Sequence, residues 1–350
     1  LEFPNYVNFG TLRIDPSLLA NGLPTDNDIS LPKDGTIETP LNLIFPEEGS
    51  LLFETESSGN EQIISSINNI ILRLLSVSPP GKLSFSIIDP VGLGQNFARL
   101  THLADYEDSI INKKIWTQRE HIETRILELN EHMEKVIQMY LRNEYESITA
   151  YNQNAGNISE KYHFLVVADF PTNFSDAAAR GLMSIAANGA RCGIYTIIHW
   201  DKRQQTPESF IQNDMKETSI CINESKIDNA LQLANGLKKG TSLKFDSPPA
   251  NDQSIEWIKL VGNESSDSNR IEVPFEQIIP GNNNYWQNNS SDELKIPIGR
   301  TGATKLQNLS FGKGTRQHAL LAGKTGSGKS TLLHVVITNI ALHFSPSEVE

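Results

Sequence analysis

Apolar positions along this chain change their period several times, and each change predicts an element. Apolar residues from Ile63 to Leu75 recur at helical spacing. Leu83-Ser84-Phe85-Ser86-Ile87-Ile88 reads as a strand that ends in Asp89-Pro90. Ile122, Ile126, Leu129, Met133, Val136 and Tyr140 are spaced alternately four and three apart, which predicts one long helix from Ile115 to about Tyr151. A stripe shorter than three heptads is more often a helix packed on a sheet than a coiled-coil seam. Phe164 to Asp169 and Ile194 to Ile198 are continuous apolar runs, the mark of strands buried on both faces, and Asp176 to Ala187 between them reads as a helix. Helices alternating with such strands imply an α/β fold with a parallel sheet covered on both sides.

Outside this block the pattern weakens. Residues 1–45 are short extended pieces interrupted by Pro4, Pro16, Pro24, Pro32 and Pro40. Beyond Gln204, Thr218–Asn223, Gly240–Phe245 and Ser254–Val261 read as strands, and Glu264–Asn269 as a polar loop. Asn-rich residues between Gly281 and Asp292 read as a polar linker. These divisions predict an extended segment at 1–45, an α/β domain at 46–205 with a β-rich extension at 206–280, a linker at 281–295, and a further domain opening at 296–350.

The strongest chemical signal lies in that last segment. Gly323-Lys324-Thr325-Gly326-Ser327-Gly328-Lys329-Ser330-Thr331 matches G-x-x-x-x-G-K-[ST] at every fixed position. Chance supplies such a match on the order of once in a hundred chains of this length. His318–Ala322 before it reads as a short buried strand and Leu332–Ile337 after it as a helix, the order the motif requires. Gly326 and Gly328 let the backbone turn its N–H groups toward an anion at a helix N-terminus. Lys329 supplies a charge to the β- and γ-phosphates, and the Ser330 hydroxyl is placed to ligate Mg²⁺. The expectation is an ATP–Mg²⁺ site spanning Gly323 to Thr331, with Lys329 as its catalytic cation. An acidic strand end to complete it would normally follow well downstream. A chain running from Leu1 to Glu350 is therefore expected to be a piece of a longer protein.

Leu51 through Gln62 align without a gap to Leu320 through Thr331, with Ser58 on Ser327 and Gly59 on Gly328. Asn60 replaces the loop lysine and Glu61 the metal-binding serine. Leu31-Pro32 and Leu41-Asn42-Leu43 echo Ile296-Pro297 and Leu306 to Leu309. We read a tandem duplication whose first copy has lost its phosphate chemistry. Glu54, Glu56 and Glu61 would repel a nucleotide there. Asp169, followed by Phe170, and Asp89 are expected as structural remnants of strand ends.

Charge and composition narrow the class. The net charge is −12, and residues 1–56 hold ten acids against two bases, whereas 295–350 hold seven bases against two acids. An acidic chain is a poor nonspecific binder of nucleic acid. The sequence has no apolar run of the ~18 residues a membrane span needs, so a cytoplasmic protein is expected. Cys192 and Cys221 lack metal-ligand spacing and read as small buried hydrophobes.

Taken with Ile296-Pro297-Ile298-Gly299-Arg300 upstream, the loop and its flanks resemble the FtsK/SpoIIIE superfamily of motor ATPases, including EccC-type secretion ATPases with tandem ATPase domains. Ile87 to Pro90, Tyr151-Asn152, Val166 to Phe170 and Gly189 to Ile198 resemble a degenerate member in the same order. The resemblance implies a RecA-like P-loop NTPase fold, first copy degenerate and second truncated, assembling as a homo-oligomeric ring. Its leading implication is a fragment of an ATP-dependent translocase of double-stranded DNA; the alternative, in the secretion branch, is a motor that exports protein substrates. A third role is that the first copy orients or regulates its neighbour as an inert scaffold.

Overall fold

The computed structural model describes residues 3–19, 22, 35–56, 60–112, 114–142, 144–155, 159–224, 231–234, 240–268, 273–281, 284–301, 305–312, 314, 316–324 and 326–349. The chain divides into two compact units, one formed by Leu1–Ala150 with Glu160–Arg270 and the other by Tyr151–Ser159 with Ile271–Glu350.

In the larger unit the elements run β1 (Tyr6–Ile14), α1 (Pro16–Leu19), β2 (Ile37–Ile44), β3 (Leu51–Thr55), α2 (Asn60–Val77), β4 (Leu83–Ile88), α3 (Arg119–Lys135), α4 (Ile148–Ala155, which straddles the division), β5 (Tyr162–Phe170), α5 (Asp176–Asn188), β6 (Ile194–Asp201), α6 (Gln212–Glu217), β7 (Ile220–Glu224), β8 (Leu231–Leu233), β9 (Thr241–Lys244) and α7 (Asn251–Ser268). Six strands form the main sheet in the order β4-β5-β6-β3-β7-β8. The first five are parallel and β8 is antiparallel to β7, so the sheet is mostly rather than wholly parallel. Every residue of β3, β4, β5 and β6 is buried, as the continuous apolar runs predict for strands with both faces covered. Ile63, Ile67, Ile70, Ile71 and Leu74 of α2 are buried at helical spacing. Cys192 and Cys221 are also buried, and burial pushes both thiols up to about 11.

The outer side of β4 is lined by chain rather than left open. Phe85 N–H donates to the Ile110 carbonyl, Trp116 N–H to Ile87 and Asp89 N–H to Trp116, at 2.5, 2.8 and 2.9 Å. Across α3, Gly181 of α5 meets Ile126 so closely that a Cβ would collide with it. Asn130 Nδ2 donates to the Gly181 carbonyl at 3.1 Å in the same crossing.

Several sequence expectations are corrected. The long helix predicted over 115–151 is three pieces. The stripe through Ile122, Ile126, Leu129, Met133 and Val136 is buried as expected. The chain then makes a π-helical turn over Val136–Leu141, which buries Leu141 in place of Tyr140. Arg142 ends it in the left-handed region with φ 44°, and Ser147 restarts the chain by accepting from Ala150 N–H at 3.3 Å. The strand expected at Ser254–Val261 is helix α7, and the expected loop at Glu264–Asn269 lies in its last turn as far as Ser268. Its buried positions are Ser254, Ile258, Gly262 and Ser265. Small residues on that face hid the helical period, and Tyr106 packs over Gly262. The N-terminal pieces are more regular than the prolines suggested. β1 is nine residues long and lies between β2 and β9 in a separate antiparallel sheet. Pro40 sits in the edge strand β2, where a missing N–H is tolerated. Pro24, Leu31 and Pro32 lie outside the described residues.

In the smaller unit, β10 (Leu294–Thr301) and β11 (Lys305–Phe311) form a two-stranded antiparallel ribbon, and α8 (Lys329–His343) follows the P-loop. The strand expected at His318–Ala322 does not form, and Leu320 is 94% exposed. A strand with no neighbour to pair with has nothing to hold it extended. Its counterpart β3, with nearly the same pattern, lies between β6 and β7 and is fully buried.

Candidate functional site

Gly326 and Gly328 adopt φ 82° and 84°, a conformation that L side chains rarely take, and a Cβ on either would meet nothing within 4 Å. They bend the loop around open space without packing against anything. Gly328 is also the N-cap of α8, and no side chain caps the helix there. The first-turn N–H groups of α8, which cannot be satisfied within the helix, therefore face an open cradle with the positive end of the helix dipole behind them. That arrangement suits an anion, and a phosphate chain is the anion the loop's length and glycine spacing suit.

Lys329 begins the helix and folds back over the loop. Its Nζ donates to the carbonyls of Gly323 and Lys324, each at 2.7 Å. These bonds tie the ammonium to the start of the loop, and a phosphate oxygen would compete for it. Ser330 follows on the first turn with its hydroxyl exposed, free to ligate a cation beside a bound phosphate. Lys324, Gly326, Ser327 and Thr331 are exposed around the cradle, while Thr325 lies outside the described residues. Ser327 N–H closes the turn on Lys324 O at 3.2 Å. Ser327 Oγ occupies the space beside Gly323 that a Cβ would need.

In the stretch that aligns with the P-loop, the described acids at the end of β3 are held by lysines. Ser57, Ser58, Gly59 and the Asn60 side chain lie outside the described residues. Glu54, buried on β3, is held by two lysines: Lys202 Nζ lies 3.6 Å from Oε2 and Lys216 Nζ 2.7 Å from Oε1. Lys202 also meets Glu56 at 2.9 Å, and that hydrogen bond raises the lysine above its ordinary range. Two of the three carboxylates expected to repel a nucleotide are thus neutralised internally. Glu61 stays exposed in the first turn of α2.

The strand-end acids have structural partners. Asp169 Oδ1 lies 3.2 Å from His199 Nδ1, and His199 Nε2 lies 2.9 Å from Thr55 Oγ1. This chain of three buried side chains ties the ends of β5, β6 and β3 together. Asp89 is fully buried and accepts from the N–H groups of Gly92, Gly94 and Asn96 and from Asn96 Nδ2, at 2.9 to 3.2 Å. Burial raises its carboxyl above the usual range, and the four hydrogen bonds oppose the rise. Sequence reading missed Lys202, Lys216 and His199. Each sits on an element far along the chain from its partner, and none belongs to a motif.

Comparison with known proteins places this geometry. Residues 281–350 match the FtsK/SpoIIIE family. The chain is 28% identical over 156 residues to the ESX secretion system protein EccC of Geobacillus thermodenitrificans, covering 41% of the chain and 10% of that protein. To the DNA translocase FtsK of Listeria monocytogenes it is 34% identical over 141 residues, or 38% of the chain and 16% of that protein. Among solved structures, EssC ATPases 2 and 3 from Geobacillus thermodenitrificans superpose with a TM-score of 0.52 at 16% identity, covering 97% of this chain and 64% of that one. EccC ATPases 2 and 3 of Thermomonospora curvata, solved with a signal sequence peptide, give 0.52 at 15% identity over 99% of this chain and 62% of that one. The chain therefore spans a small part of these curated relatives and under two thirds of the solved chains. Its mostly parallel α/β fold is that of P-loop ATPase domains, and residues 281–350, which carry the loop, match the FtsK/SpoIIIE family.

Proposed function

We propose that this chain is part of a nucleotide-driven translocation motor, in which Gly323 to Thr331 bind ATP–Mg²⁺ and the first copy is an inert companion. The open, uncapped cradle at Gly326, Gly328 and the start of α8 carries this reading. Lys329 exchanges its two loop carbonyls for the β- and γ-phosphates, and Ser330 holds the Mg²⁺, which draws charge from the phosphate oxygens when bound. Ser327 and Thr331 stand exposed around the cradle. Hydrolysis in this reading also needs acidic residues that complete the site and copies that assemble as a ring. We place the motor domains in the cytoplasm; among the described residues, no helix is long and apolar enough to cross a membrane.

For the moved substrate we favour protein, as in EccC-type export. A chain with net charge −12 repels a phosphate backbone. The solved EccC and EssC ATPase pairs also share its fold over nearly its whole length. DNA translocation is the second reading, supported by 34% identity to FtsK. The full-length protein should hydrolyse ATP, and Lys329→Ala should abolish turnover, since the loop lysine stabilises the transferring phosphoryl group. Unchanged turnover in that variant would overturn the site. Stimulation of turnover by an exported peptide, with no response to double-stranded DNA, is expected; the reverse pattern would establish the second reading.

A further inference from the structure

The Asn-rich stretch expected to act as a linker is docked on the far end of the P-loop helix. Trp286 N–H donates to the Leu342 carbonyl at 3.1 Å, and Asn288 N–H to His343 at 3.1 Å. Trp286 Nε1 reaches the Ala341 carbonyl at 3.0 Å. These three carbonyls lie in the last turn of α8, where no intrahelical donor remains. Ser290 extends the seam, its N–H and Oγ meeting Glu348 Oε2 at 2.9 and 2.8 Å. Trp286 makes its bonds with φ 59°, a region a bulky residue enters only when its surroundings hold it there.

Packing alone anchors α8 weakly, since Leu333 and Ile337 are exposed. Its interior anchor is Asn339, fully buried, whose Nδ2 donates to Pro297 O at 2.6 Å and Ile278 O at 3.3 Å. Asn339 lies in the same half of the helix as the capped carbonyls. The opposite end carries Lys329 and Ser330, about 22 Å away along a fifteen-residue helix.

We propose that Trp286 and Asn288 are positioning residues for the nucleotide loop, and that docking of this segment and binding of nucleotide are coupled through α8. This rests on the nucleotide reading of the loop. A capped, fixed helix presents its first-turn N–H groups in one orientation, so a phosphate need not order them. An undocked segment frees the helix end and leaves that ordering to the ligand. Coupling of this kind is reciprocal, so nucleotide must also strengthen docking.

The test uses the 350-residue chain, a fluorescent ATP analogue with Mg²⁺, and hydrogen exchange at single amides. Trp286→Ala and Asn288→Pro should each weaken analogue binding by about fivefold, the factor for one lost hydrogen bond of ordinary net strength. Exchange in the last turn of α8 should quicken in both variants without ligand. Saturating analogue should slow exchange at the Trp286 and Asn288 amides of the unsubstituted chain. Binding that leaves those two amides unchanged, or variants of unaltered affinity, would overturn the coupling while the nucleotide site stands. A chain that binds no analogue at any attainable concentration would overturn the nucleotide reading, and the coupling with it.

Discussion

His163 shows how a single residue sets a pH dependence. It is buried on β5, with Nδ1 2.7 Å from Ser84 Oγ and Nε2 3.0 Å from Ser86 Oγ, and Arg125 Nε donates to Ser86 Oγ at 2.6 Å. Burial pushes the imidazole well below its ordinary value of 6.5, and the positive charge of Arg125 adds to the effect. The folded unit keeps this histidine neutral while the unfolded chain protonates it below about 6.5. Stability from this group is therefore complete above that pH and falls as pH drops below it. We expect the thermal midpoint of the larger unit to decline between pH 7 and pH 5, and His163→Gln to flatten that slope while lowering the midpoint at pH 7. Parallel slopes in the two proteins would refute the assignment. None of this was legible in the sequence, where His163 is one polar residue inside an apolar run. The P-loop was legible because its chemistry is local: nine consecutive residues carry the turn, the cation and the hydroxyl. The Glu54 clamp was not, because its lysines arrive from the end of β6 and from α6.

At the scale of elements, period reading succeeded where the buried face is made of large apolar side chains. Strands β4 to β6 and helices α2 and α5 fell close to their expected places. It failed where the face is small or where spacing slips by a residue. Helix α7 turns Ser254, Gly262 and Ser265 inward, and apolarity does not register those residues. The π-turn at Val136–Leu141 steps the stripe by five, and neither a three nor a four in the sequence announces that. The expected strand at His318–Ala322 failed for a third reason: its sequence is right, and no strand pairs with it among the described residues. This sets a gradient along α8. Amides at the start of the helix should exchange faster than those of 340–343 near the cap, and both faster than 164–168 in β5. Uniformly slow exchange from 320 to 345, matching β5, would show that the apolar side of α8 is covered in solution.

For the whole molecule, the proposed duplication sets two aligned stretches to opposite uses. One presents an open cradle on a thinly supported helix, and the other a six-stranded sheet whose strand ends carry ion pairs and a histidine bridge. Residues 1–270 should therefore give no heat on titration with ATP–Mg²⁺. Restoring lysine and serine at Asn60 and Glu61 should not change that, because Glu54, Glu56 and their lysines still occupy the place. Binding by either protein would mean that the ion pairs open readily. The covered flank of β4 has a consequence for assembly. With the Phe85 N–H, the Ile87 carbonyl and the Asp89 N–H already paired to Ile110 and Trp116, that stretch is a poor template for a strand from a neighbouring molecule. Along that stretch, a second copy would be met by side chains, in a contact that forms and releases without rebuilding a β-ladder.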